Sequence, residues 1–237
     1  RQKGKLSGFD YRVEYYHQFG DAGAIANTSG MTITGGTADG DSVDRDAQMF
    51  GVRLGKTFKN AKGSPSITLW YDNLSGQDDE DSAAGDWGAF DTMYDTGHKF
   101  YGFMDVYLGR TGANTGFYGL QDIALKTKMS PVPGWTLKAD YHHFRTQTDI
   151  SGSDADTVVA ADASLGGAMD EDLGSELDVT LVHKYDANTK IVFGFSHYWT
   201  TTTFSTLNGG AGSLANDAGS GQNDEADWGY VMIDTKF

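Results

Sequence analysis

Charged side chains recur at alternate positions inside otherwise apolar stretches of this 237-residue chain. Asp10, Arg12 and Glu14 interleave with Phe9, Tyr11, Val13 and Tyr15, and Arg53 lies between Val52 and Leu54. Asp122, Lys126, Lys138, Asp140, Glu176, Asp178 and Lys184 continue the pattern downstream. A spacing of two puts such charges on one face of a strand and the apolar residues on the other. Mixed charge opposite a wholly apolar face is what a wall between hydrocarbon and water requires. The expected pore-lining set is therefore Arg12, Arg53, Lys126, Lys138, Asp140, Glu176, Asp178 and Lys184, because rings of side-chain charge set the selectivity of a pore. The same residues also fit mutual neutralisation across strands. Their signs nearly balance, so they imply neither anion nor cation preference.

Other reactive residue types carry less. The carboxylates of Asp78-Asp79-Glu80-Asp81 and Asp154-Ala155-Asp156 suit Ca²⁺ or Mg²⁺, including ions that bridge lipopolysaccharide phosphates. They lack the spacing of an EF-hand, and solvated loop charge is the commoner meaning of such runs. His142 and His143 are adjacent, so a strand sends them to opposite faces and only His142 points with the charges. Ser196 shares that face two strands away, the distance at which an acylhydrolase pairing has to be considered. No G-x-S-x-G segment occurs, and neither an enzyme nor a cofactor is expected. The absence of Cys excludes disulfides and thiolate metal sites.

These residues need many strands to position them. Aromatics make up 13% of the chain and Gly contributes 32 residues, against 3 Pro, which suits strands joined by glycine-rich loops. A mean hydropathy of -0.45 and the lack of a long apolar run exclude a transmembrane helix, but not strands that face lipid with every second residue. The net charge of -15 argues against a nucleic-acid partner. The period predicts eight strands. Their apolar sets are Phe9 to Phe19, Phe50 to Phe58, Ile67 to Tyr71, Ile123 to Met129, Trp135 to Tyr141, Leu177 to Tyr185, Ile191 to Trp199, and Val231 to Phe237. In the second strand Gln48 is grouped with the polar face, and Met49 and Lys56 stand off the pattern. Phe19, Phe58, Tyr71, Trp135, Tyr185, Trp199 and the terminal Phe237 lie near strand ends, where membrane girdles belong.

The connections alternate as well. Residues 59–64, 130–134 and 186–188 read as tight turns, whereas 20–43, 73–116, 146–172 and 200–227 are long and acidic. Short turns on one rim and long loops on the other match outer-membrane topology, and eight strands put both termini on the short-turn side. Phe100–Leu108 is apolar enough for a ninth strand. One extra crossing would break that alternation, so it is placed inside the long loop at 73–116, folded toward the lumen. The chain opens at Arg1 without a signal segment, as a mature or a truncated protein would.

From Trp87 onward the chain resembles the alginate-export family of outer-membrane channels. The resemblance rests on five segments in matching order: Phe90-Asp91-Thr92-Met93-Tyr94, His98-Lys99-Phe100-Tyr101-Gly102-Phe103-Met104-Asp105, Gly119-Leu120-Gln121-Asp122, Leu137-Lys138-Ala139-Asp140-Tyr141-His142-His143-Phe144, and Leu173-Gly174-Ser175-Glu176-Leu177-Asp178. The first 60 or so residues match only as barrel strands. The resemblance implies a non-catalytic conduit for an anionic polysaccharide, and a barrel with more strands than are counted here. An eight-stranded barrel is filled by its own side chains, so the residues are expected to be the carboxy-terminal portion of a larger one.

The expectation is thus an all-β, antiparallel, up-and-down transmembrane β-barrel, one domain over 1–237, in the bacterial outer membrane. It would touch lipid and lipopolysaccharide and pass a charged or polysaccharide solute passively. The rivals are a non-conducting eight-stranded barrel that anchors, adheres or modifies lipid, and a soluble sandwich with Ca²⁺-binding loops.

Overall fold

The structure, a computed structural model, describes residues 1–22, 43–78, 80–81, 85–92, 97–107, 114–150, 170–209 and 225–236. Ten strands form one sheet: β1 (Gln2–Leu6), β2 (Phe9–Asp21), β3 (Asp44–Thr57), β4 (Ser66–Leu74), β5 (Asp86–Trp87), β6 (Leu120–Met129), β7 (Trp135–Arg145), β8 (Asp172–Lys184), β9 (Thr189–Trp199) and β10 (Ala226–Thr235). A helix, α1 (Thr202–Gly209), follows β9. Nine strands pair antiparallel in the order β1-β2-β3-β4-β6-β7-β8-β9-β10, and the two residues of β5 run parallel to the start of β3. β1 and β10 are unpaired edges, so the described strands form an arc of wall rather than a closed one.

The polarity of this wall is inverted relative to a soluble sheet. Leu69 (58% exposed), Phe193 (42%) and Ile233 (68%) project outward, whereas Glu14, Asp72, Asp122, His142, Glu176 and Asp178 are buried on the other face. Phe9 and Leu125 are exposed, and Val52, Leu137 and Val179 are half-buried, so none of these outward residues enters the core. Register keeps the inner residues together across strands. Asp72 lies opposite Asp122, Lys126 opposite Asp140, Asp140 opposite Asp178, and His142 opposite Glu176.

Two strands escape the period-2 reading. Gln2–Leu6 has too few apolar residues to alternate, yet Ser7 and Gly8 at φ 50° and 81° fold it back onto β2. That double left-handed turn is the hairpin geometry matched to strand twist. Gln2 pairs with Val13, so Arg1 sits partway along β2 rather than on the short-turn rim. β5 is too short to show any period. In β3 one assignment is corrected: Gln48 is exposed on the outer face with Phe50, while Met49, which stood off the apolar pattern, is buried inward on the parity of Gly51 and Arg53.

The rims separate as expected. β1–β2, β3–β4, β6–β7 and β8–β9 close tightly on one rim, and the longer connections leave from the other. Asp186 caps the β8–β9 turn by accepting from the amides of Asn188 and Thr189, both at 2.7 Å, which hold its carboxyl below the usual range. At the long-loop rim β8 is bulged where it meets Phe144 and Arg145, and Leu173 is buried there. Gly174 at φ 114° has the Trp199 carbonyl 2.2 Å from where a Cβ would stand, so a side chain there would break the bulge. Phe237 and the acidic stretch at 151–169 fall outside the described residues.

The outer face generates a direct test. Leu125→Arg should lower the stability of vesicle-inserted protein by about 2–4 kcal/mol. Thr136→Arg, on the inner parity, should cost less than about 1 kcal/mol. Urea titration in lipid vesicles measures both, and equal losses would refute the assignment of faces.

Candidate functional site

Three groups of side chains occupy the inner face. Arg53 of β3 is buried between its two neighbouring strands, donating to Glu14 of β2 at 2.6 Å and to Asp72 of β4 at 3.0 Å. Arg12 adds a 2.5 Å bond to Glu14, and Arg1 lies 3.3 Å from it. The Trp70 indole N–H donates to Asp72 at 2.8 Å while the Arg53 guanidinium lies over its ring, 3.6 Å from the centroid. Arg12 Nε, Arg53 Nε and Asp72 Oδ1 have no hydrogen-bond partner among the described residues, so these bonds and the Trp70 contact must offset a large desolvation cost.

The second group spans β6 and β7. His142, fully buried, donates from Nδ1 to Asp122 at 2.8 Å, and its Nε2 accepts from the Lys126 ammonium at 3.0 Å. Lys126 also donates to Asp140 at 3.3 Å. Both imidazole nitrogens are thus occupied, and the Ser196 hydroxyl donates instead to Asp178 at 2.5 Å. The considered Ser196–His142 contact does not form. His143, on the outer face, meets Ser175 at 3.2 Å and Asp172 at 4.0 Å through the same Nδ1. A nucleophile and an orienting acid need opposite nitrogens, so this is not a proton relay.

The third group is Glu176 and Asp178 of β8, and a loop covers it. Residues 97–107, which include the described part (100–107) of the segment expected to fold inward, contain no strand. The Phe103 amide donates to Asp178 at 3.2 Å and the Met104 amide to Glu176 at 2.8 Å. Asp105 closes this knob on itself by accepting from the His98 amide at 2.7 Å. His98, Tyr101 and Asp105 all have positive φ, strained values for side-chain-bearing residues that persist only where packing enforces them. Tyr101 and Tyr107 join Met49, Leu74, Leu120, Phe144, Leu173 and Tyr198 in a buried cluster, with Phe204 and Leu207 of α1 packed against it. The Tyr107 and Tyr198 hydroxyls meet at 2.5 Å, and the latter donates to the Leu173 carbonyl at 2.7 Å. The inward position of Met49 follows from this packing.

The expected lining set therefore divides three ways. Arg12, Arg53, Lys126 and Asp140 are neutralised in pairs, whereas Glu176 and Asp178 meet the knob. Lys138 is half-buried beside Lys128, and Lys184 is exposed next to Lys190; among the described residues neither Lys138 nor Lys184 forms an ion pair. Both lie toward the short-turn rim. There, between β1 and β4, a recess of about 510 Å³ is lined by Lys3, Lys5, Asp10, Arg12, Arg53 and Thr68 among others. Trp70, Asp72 and Lys3 were missing from the expected set. Period 2 places Trp70 and Asp72 inward, but their partners belong to strands distant in sequence.

The acidic loops are only partly described. Asp78 accepts from the Asp81 amide at 2.8 Å, and burial, then the Asp78 charge, push the Asp81 carboxyl up to about 6. Among the described residues no three His, Asp or Glu side chains converge as metal ligands. Asp79 and Asp154 to Asp156 lie outside them.

The family model for alginate export matches residues 1–214, and so takes in β1 to β4 as well as the segments after Trp87. No curated protein matches the chain.

Arg53 and Lys138, two cations of one face, should respond differently to removal. Arg53→Met strands two buried carboxylates and should destabilise the protein by about 3–5 kcal/mol. Lys138→Met should cost less than about 1 kcal/mol. Denaturant titration of the detergent-folded protein compares them, and equal effects would show that the Arg53 bonds hold nothing together.

Proposed function

The chain belongs to the alginate-export family, a family of outer-membrane β-barrels that transports rather than catalyses, and from that premise we propose that it forms the wall of an outer-membrane conduit. The solute is charged or polysaccharide and moves passively. The observation that carries the reading is the inverted wall: apolar side chains exposed along one face, and a hydrogen-bonded lattice of both charges along the other. Such a face lowers the desolvation cost of a polar solute without requiring energy or chemistry.

The working form in this proposal is a closed barrel. An edge strand in hydrocarbon leaves N–H and C=O groups unpaired at several kcal/mol each, so β1 and β10 must both be paired there. The short turns face the periplasm and the long acidic loops the exterior. The inner face then runs from a basic entrance, with Lys3, Lys128, Lys138 and Lys184, to an acidic, knob-covered outer half at Glu176 and Asp178. The unpaired lysines would draw an anionic chain to the entrance, because exposed charge of one sign raises the local concentration of its counter-charge. The knob favours a resting state with low conductance.

Planar-bilayer recording tests the conduit. The protein should give discrete conductance steps, and Lys138→Gln should shift the permeability ratio toward cations by about twofold with stability unchanged. Absence of any conductance from correctly folded protein would favour a plugged anchor instead. Normal conductance with unchanged selectivity would move the constriction away from the basic end.

A further inference from the structure

Aromatic rings stand in line from the knob down the inner face of β10. Phe103 lies parallel to His98 at 6.1 Å and 9°, His98 stacks on Trp228 at 4.8 Å and 21°, and Trp228 meets Tyr230 at 4.7 Å and 33°. The contact of His98 with Trp228 ties the knob to the wall. Tyr230 takes no part in that tie, because among the described residues it meets no ring except Trp228. Its place is set by Gly194 of β9, directly opposite. A Cβ there would stand 1.9 Å from the Tyr230 ring, so the missing side chain lets the ring lean across the neighbouring strand. The line of rings ends at Tyr230, and the side away from Trp228 looks toward the short-turn rim.

The surroundings of that end differ from the rest of the inner face. The next inner residue of β10 is Met232, 45% exposed, and Val192 and Val182 lie in register beside it. Apolar side chains open to the water side of a wall otherwise lined by charge mark a contact surface. Cations stand at its margins. Lys138 shares the row of Tyr230 through Gly194 and Thr180, and Lys184 lies two inner positions nearer the short turns. Among the described residues neither forms an ion pair, whereas Lys190 is held by Asp234 at 2.7 Å. Lys138 also lies directly opposite Lys128, a like-charge pairing that costs stability until an anion joins it. Neighbouring strands are about 4.8 Å apart, so three spacings, roughly 14 Å, separate the backbones of Tyr230 and Lys138. The Tyr230 ring covers the first spacing and a lysine side chain is long enough to cover another. The interval left is about as wide as one sugar ring.

We propose that Tyr230, with Met232 below it and Lys138 and Lys184 beside it, is a stacking station for an acidic pyranose ring, so that the inner face selects a saccharide over a small open-chain anion. The C–H face of a pyranose packs on an aromatic face by dispersion, and the sugar takes the next place in the line of rings. Its carboxylate accepts from the lysine ammonium groups. Lysines alone hold any anion, and an aromatic face alone holds any flat apolar group; the two together fix both the ring and its acid. Tyr230 is thus a positioning residue for the solute. The inference rests on the conduit reading for its place in transport and adds to it the residue that reads the sugar face. Binding at the station is measurable without conduction.

The experiment is calorimetry on the full chain folded in detergent, titrated with a uronate trisaccharide, a neutral trisaccharide and tricarballylate, an open-chain anion with as many carboxylates. The uronate trisaccharide should bind about tenfold or more tighter than tricarballylate. Tyr230→Leu keeps apolar bulk without a flat ring and should erase that advantage, and Tyr230→Phe should retain it. Lys138→Gln with Lys184→Gln should bring the uronate down to the affinity of the neutral trisaccharide. Saturation-transfer NMR on the parent protein, irradiating aromatic protons, should mark the sugar C–H protons, a readout that requires no variant to fold. The proposal is overturned if tricarballylate binds as tightly as the uronate, or if no trisaccharide binds. It is equally overturned if Tyr230→Leu keeps the preference, if Tyr230→Phe loses it, or if the sugar protons receive no saturation. Conductance of the same preparations separates the two readings. Conduction without saccharide binding defeats the station alone, and saccharide binding without conduction defeats the conduit while the station stands.

Discussion

The Arg53 guanidinium joins three strands through two carboxylates, and the arrangement of the inner face follows from its burial. Glu14 on β2 and Asp72 on β4 approach at 2.6 and 3.0 Å, and Trp70 closes over the cation. A buried ion stripped of water needs all of these contacts together, and each comes from a different part of the chain. The pairing of Lys126 with Asp140 and His142 repeats the logic two strands on. Charge inside this wall is therefore a structural element before it is a functional one.

That division has a consequence for transport. Residues already committed to neighbours are poor ligands for a passing solute, since each departure would leave a buried ion unpaired. Spare capacity remains at Lys138 and Lys184 toward the short turns, and at single unpartnered atoms of Arg12, Arg53, Asp72 and Glu176. The two ends of the inner face thus differ in sign as well as in access. A loop is held over the acidic end by hydrogen bonds and by aromatic packing around Tyr107.

The knob combines strain with satisfaction. Three side-chain-bearing residues adopt positive φ within eight positions, yet the loop closes through Asp105 and docks by two amides. Backbone strain of that kind persists where surrounding contacts over-determine it. Its apolar residues fill space that water would otherwise occupy beside Phe144 and Leu120, which explains why so hydrophobic a segment is not a strand.

Alternation alone determined the all-β class, most of the strands, the two faces and the split between short and long connections, because side-chain direction on a strand has a period of two whatever the partner. It also placed Arg53, Glu176 and Asp178 inward. It missed Gln2–Leu6, where polar residues leave no alternation to see and only the Ser7–Gly8 turn and the edge of β2 make a strand. Gln48 faces outward with Phe50, as strict parity places it, and the burial of Met49 is explained only by the cluster that the knob joins. Which charges are clamped and which are free was decided by tertiary structure. Parity assigns a residue to a face, but a charge is neutralised by neighbours brought up from strands dozens of residues away, and period carries no record of them.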